Sequence, residues 1–204
     1  MALYDLSDPA VPLPAQIVVD TSLLLALRPG DDNPHAGAAR AFVRRLQARI
    51  AAYELVAWLP LPVLQECTHV LLSNTLRRLW QAMDPVERPP NWLKAYKDRP
   101  ALLRAGLPEL ARFRQLLAAV PLTPVQPEDL AAATMDEPLD ERMRHFISAY
   151  HLLPQDALIL SIAERLGVPA VATLDREWQR VASRNAPEDA QGDAAVDLYT
   201  CLDR

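Results

Sequence analysis

The stretch Leu152–Trp178, LLPQDALILSIAERLGVPAVATLDREW, leaves this chain few choices of fold. Leu158, Ile159, Ile162, Ala163 and Leu166 make the core face of a helix. Pro154 suits the first turn of that helix, and Gly167 ends it. Ala170–Thr173 then reads as a short buried strand, and Asp175–Ala182 as a further helix. Such a unit calls for a sheet beside it. It also carries an acid at each junction: Asp156 at the start of the first helix, and Asp175 where the strand gives way.

The same alternation runs through the rest. Gln16–Val19 reads as a buried first strand. Asp20-Thr21-Ser22 opens a helix, Leu23–Leu27, stopped by Pro29-Gly30. A second helix spans about His35–Tyr53, with Ala39, Val43, Leu46, Ile50 and Tyr53 on one face. Leu55–Leu59 is the second strand. Pro60 and Pro62 bracket the start of a third helix, about Leu61–Gln81, with Glu66 beside its core face. Val120–Leu122 reads as a third strand weakened by Pro121. Glu128–Thr134 and Leu139–Tyr150 are helical, and Ala195–Tyr199 is the last strand. Strands separated by helices predict an α/β fold: a three-layer α/β/α sandwich with a central, mainly parallel sheet. Residues 1–15 form a Pro-rich lead, and 16–204 a single domain with an insertion at about 84–108.

Composition narrows the chemistry. Five glycines against 19 prolines argue against Gly-rich phosphate loops, and no glycine cluster follows the first strand as a dinucleotide site requires. Cys67 and Cys201 read as thiols rather than a disulfide, and no Cys/His spacing suggests zinc. The net charge of −5 gives no global attraction to nucleic acid or anionic lipid. The N-terminus, MALYDLSDPAVPLP, has no signal-peptide pattern, and no apolar run approaches the ~18–20 residues that span a bilayer. A cytoplasmic chain with no membrane partner is expected.

Ligands on open parallel sheets bind beyond the carboxyl ends of the strands. Asp20 and Asp175 follow strands at that edge, Asp156 heads a helix that starts there, and Glu66 lies near the start of the helix after the second strand. Each aspartate taken singly is explained as a helix-start residue, and Glu66 as a solvated one. Together, four carboxylates in one cleft repel each other. A hard divalent cation, Mg²⁺ or Mn²⁺, resolves that cost.

The sequence Val18-Val19-Asp20-Thr21-Ser22, the helical Glu66, Pro154-Gln155-Asp156-Ala157-Leu158-Ile159 and Val171-Ala172-Thr173-Leu174-Asp175-Arg176-Glu177 occur in an order that resembles the PIN domain (PilT N-terminal) family. The resemblance is nearest to toxin ribonucleases of the virulence-associated-protein C (VapC) type. It implies that Asp20, Glu66, Asp156 and Asp175 are the catalytic metal ligands, that Ser22 and Thr173 orient them by hydrogen bonds, and that Glu177 is an accessory acid. It implies hydrolysis of RNA phosphodiester bonds with Mg²⁺ or Mn²⁺, an antitoxin partner in a toxin–antitoxin pair, and a homodimer. The chain exceeds a minimal toxin of this type, mostly through 84–108 and 135–150.

Arg40, Arg44, Lys94 and Lys97 are the candidate RNA contacts; a solvated helix face explains the two arginines as well. Trp92 and Tyr96 beside the two lysines suit single-stranded RNA, and equally a small packed helix. A haloacid-dehalogenase-type phosphatase wants a second aspartate where Ser22 stands. The non-enzyme alternative is a PIN-like module that only binds RNA or protein.

Overall fold

The computed structural model describes residues 2–29, 32–131, 137–182 and 196–202. Contacts gather the chain into two compact units, Met1–Leu64 with Val120–Arg204, and Gln65–Ala119.

In the first unit, β1 (Leu3–Asp5), β2 (Gln16–Val19), β3 (Val56–Leu59), β4 (Thr123–Pro124), β5 (Ala170–Ala172) and β6 (Asp197–Thr200) form one sheet in the order β1-β6-β5-β2-β3-β4, parallel throughout. Its helices are α1 (Thr21–Leu25), α2 (Ala36–Ala51) and the start of α3 (Leu61–Gln81). The second unit holds α4 (Trp92–Asp98) and α5 (Leu107–Ala118); α6 (Pro127–Ala131), α7 (Leu139–Tyr150), α8 (Pro154–Arg165) and α9 (Gln179–Ala182) return to the first. The architecture is the three-layer α/β/α sandwich that the alternation predicts.

The centre of the sheet follows from composition. Ile17, Val18, Val19, Ala170, Val171 and Ala172 are all 0% exposed, as parallel strands covered on both faces must be. They pair Val18 with Val171 and Val19 with Ala172, so β2 and β5 end side by side. Gly167 takes φ +65 just past α8, the left-handed turn that lets the last carbonyls of a helix be satisfied. There Gly167 N donates to Glu164 O and Val168 N to Ala163 O, each at 2.9 Å. An ion pair joins α7 to α8, Arg142 Nε to Glu164 Oε2 at 2.5 Å, with the guanidinium 4.5 Å from the Phe146 ring centroid.

Part of the Pro-rich lead is a strand. β1 lies on β6, with Tyr4 stacked on Tyr199 at 4.9 Å between centroids. Beyond it, Arg45 of α2 donates to Asp8 O at 2.9 Å and to Val11 O, while Tyr199 Oη donates to Pro12 O at 2.9 Å. Prolines have no N–H to give to a sheet, and side chains fasten this segment.

Three expectations need correction. The third strand lies at Thr123–Pro124, not Val120–Leu122. Pro121 has no N–H to give, and Leu122 N turns back to Val120 O at 2.7 Å, so pairing with Trp58 and Leu59 begins only at Thr123. Tyr53 is not on the core face of α2. It follows the helix at φ 58 and is 97% exposed, because the chain reverses there to enter β3. The helix expected at Asp175–Ala182 opens with a 3₁₀ turn, Arg176–Trp178, before α9. Gly30 of the first helix stop, Thr134 of the expected Glu128–Thr134 helix and Ala195 of the expected last strand lie outside the described residues.

The second unit carries α4 and a 3₁₀ segment, Pro100–Gly106, within the stretch expected as an insertion. Asn91 caps α4, its side chain accepting from Lys94 N at 2.8 Å. A Cβ on Gly106 would meet Leu72 Cδ2 at 2.5 Å, so a larger residue there would push the end of that side chain aside.

A carboxylate-lined edge as candidate metal centre

β2 and β5 deliver the site. Asp20 follows β2 and caps α1; Thr173 follows β5 on the neighbouring strand. Asp20 is 2% exposed and Thr173 0%. One carboxylate oxygen of Asp20 is crowded with donors. Oδ2 accepts from Ser22 Oγ at 2.7 Å, from Thr173 Oγ1 at 2.8 Å and from Ser22 N at 3.3 Å. The other oxygen, Oδ1, is buried with no hydrogen-bond partner.

The two hydroxyls are themselves held. Leu174 N donates to Ser22 Oγ at 2.8 Å, and Asp175 N to Thr173 Oγ1 at 3.0 Å. Backbone beyond β5 thus locks the groups that lock Asp20. Asp175 sits half-buried at the head of the 3₁₀ turn, Oδ1 accepting from Glu177 N at 2.8 Å. Glu177 therefore takes part through its backbone, and its side chain is half-buried.

Asp156 is 7% exposed in the first turn of α8. It is not the N-cap. Leu153 holds that position, and Asp156 is the acid of the first turn. The turn is tied down by Gln155, whose Nε2 donates to Pro62 O at 2.7 Å in the first turn of α3. Both helices therefore begin at the carboxyl edge where Asp20 and Asp175 lie. The sequence offers one faint signal for Gln155: a polar residue directly before a buried acid. Glu66 is half-buried on α3 and belongs to the second unit.

Arg40 and Arg44 are exposed on α2, and Lys94 and Lys97 on α4. Lys94 pairs with Asp98 at 3.6 Å. Their neighbours Arg45 and Arg49 are engaged structurally, Arg45 on the lead and Arg49 with Glu54 at 2.9 Å.

Burial dominates the titration of Asp20 and raises its pKa above 3.8, against the opposing pull of the Ser22 and Thr173 hydroxyls and the Thr21 and Ser22 backbone. A carboxylate kept from water with one oxygen unanswered is costly. A hard cation is the natural answer to that oxygen, and Asp156 and Asp175, beyond the same carboxyl edge of the sheet, offer only oxygen donors. Among the described residues no three His, Cys, Asp or Glu side chains stand together closely enough to hold a metal ion as they are posed.

The family model of the PIN domain matches residues 17–184, and the chain belongs to the PIN domain family. PIN domains are generally nucleases and typically use divalent metal ions. No curated protein matches the chain. No single helix among the described residues is long and apolar enough to cross a membrane.

Proposed function

We propose that this chain is a Mg²⁺- or Mn²⁺-dependent endoribonuclease. Asp20 is the central ligand, with Asp156, Asp175 and Glu66 completing the set that the resemblance implies. The observation that carries the reading is the divided carboxylate of Asp20: Oδ2 saturated by two hydroxyls, Oδ1 buried and unanswered. A bound divalent cation supplies Lewis acidity, acidifying water and offsetting charge on the phosphoryl oxygens.

The chain's own residues do the positioning. Ser22 and Thr173 fix the plane of the Asp20 carboxylate, leaving Oδ1 as the oxygen free to bind. The backbone after β5 holds both hydroxyls and carries Asp175. Gln155 fixes the turn that bears Asp156. Preorganised groups of this kind cost no reorganisation during reaction.

Purified protein incubated with RNA should cleave it with Mg²⁺ or Mn²⁺ and stop in excess chelator. Cleavage that survives chelation contradicts the reading, and RNA binding without cleavage favours the binding module. Within this reading the chain acts in the cytoplasm as the toxin of a toxin–antitoxin pair. Co-expression with the product of an adjacent upstream gene should then relieve growth arrest.

A further inference from the structure

Charge is divided unequally along this chain. The second unit, Gln65–Ala119, holds nine Lys and Arg against five Asp and Glu, so it carries +4. The whole chain carries −5, which leaves −9 on the remainder. Both lysines of the chain fall in this unit.

The surplus is exposed. Asp98 is taken by Lys94 at 3.6 Å, and Glu109 by Arg112 at 3.1 Å and Arg78 at 3.9 Å. Lys97, Arg99, Arg104 and Arg114 are exposed and make no ion pair among the described residues. The first three are close in sequence, on α4 and the 3₁₀ segment that packs against it. Beside them lie half-buried aromatics. Trp92 lies under Arg77, 5.3 Å from guanidinium carbon to ring centroid, and Tyr96 stands one turn further along α4.

We propose that the α4 and 3₁₀ segment of the second unit is a docking surface for single-stranded RNA. Unpaired cations meet the phosphates, and half-exposed rings next to cations suit bases that a duplex would keep stacked inside. An acidic protein would answer the charge alone, whereas a single strand engages phosphate and base with the cations and rings together. The inference deepens the ribonuclease reading and rests on it for the choice of RNA.

The test is binding, read by anisotropy of a labelled mixed-sequence single-stranded RNA with the full chain in chelator, so that cleavage plays no part. The expected result is salt-dependent binding, stronger for the single strand than for its duplex. The triple variant Lys97→Glu, Arg99→Glu, Arg104→Glu should bind at least tenfold more weakly, with a log–log salt slope smaller by about 2. The swap Lys97→Arg, Arg99→Lys, Arg104→Lys should restore it, and Trp92→Phe should retain more affinity than Trp92→Ala. Unchanged affinity in a folded triple variant, a preference for duplex, or equal binding of polyglutamate each overturns the proposal. Loss of this surface with cleavage intact defeats this inference alone; binding here with no cleavage defeats only the nuclease reading.

Discussion

Thr173 Oγ1 donates to Asp20 Oδ2 at 2.8 Å, joining residues 153 positions apart across the neighbouring strands β5 and β2. The bond chooses which oxygen of Asp20 is left over. Removing the hydroxyl while keeping the shape tests that choice. Thr173→Val should lower the cleavage rate roughly 10- to 100-fold, the worth of a hydrogen bond to a charged group of about 1.5–3 kcal/mol. Thr173→Ser should keep most of the rate. Equal rates for the valine and wild-type proteins in single-turnover assays would remove Thr173 from the site.

Asp20 should cost the metal-free fold stability. Its pKa is raised by burial from 3.8, so the fold prefers the neutral acid. That preference is fully present below 3.8 and is lost as pH rises through the raised value. In chelator at neutral pH, Asp20→Asn should therefore melt higher than wild type, by about 2–4 °C for each ~1 kcal/mol relieved. Mn²⁺ should then raise the melting temperature of wild type and leave the variant nearly unmoved. A variant less stable than wild type in chelator counts against a strained carboxylate.

The Arg142–Glu164 pair should behave as a buried one, with side chains 14% and 6% exposed. Arg142→Met alone leaves a carboxylate stranded and should destabilise by about 3–5 kcal/mol. Arg142→Met with Glu164→Leu should recover much of that loss. Chemical denaturation of the three proteins decides it: if the double variant is no more stable than the single one, the cost lies elsewhere, for example in the Phe146 contact.

Much of this was readable in advance, and the reason is local. Gln16–Val19 and Ala170–Ala172 are apolar throughout because both faces are covered, and Pro154 and Gly167 mark the ends of α8 by chemistry that needs no tertiary context. The misses are tertiary. β1 has no strand signal of its own; it exists because β6 offers it an edge and Tyr199 offers it a ring. The strand at Thr123–Pro124 depends on where Leu122 turns. Among the acids, the places of Asp20, Asp156 and Asp175 follow from topology, since two follow strands and one opens a helix. The divided state of the Asp20 carboxylate does not, since nothing in the sequence says which oxygen Ser22 and Thr173 will take.

Tyr199 gives an independent check on the outer edge of the sheet. Burial, with smaller contributions from Tyr4 and Asp197, pushes its phenol up to about 12. The neutral phenol is the form the fold prefers, so its contribution is intact below 10.0 and lost as pH rises through about 12. Phenolate absorbance should show a late-titrating component, and Tyr199→Phe should remove it. Ordinary titration of every tyrosine would mean that the lead does not cover this edge.

The central claim is that Asp20 anchors a catalytic cation, and one side-by-side assay addresses it: cleavage of single-stranded RNA in Mn²⁺ by wild type and by Asp20→Asn. The account predicts metal-dependent cleavage by wild type and a loss of at least about 10²-fold in the variant, of the order seen when a group stabilising a transition state is removed. Equal cleavage by the two proteins would contradict it.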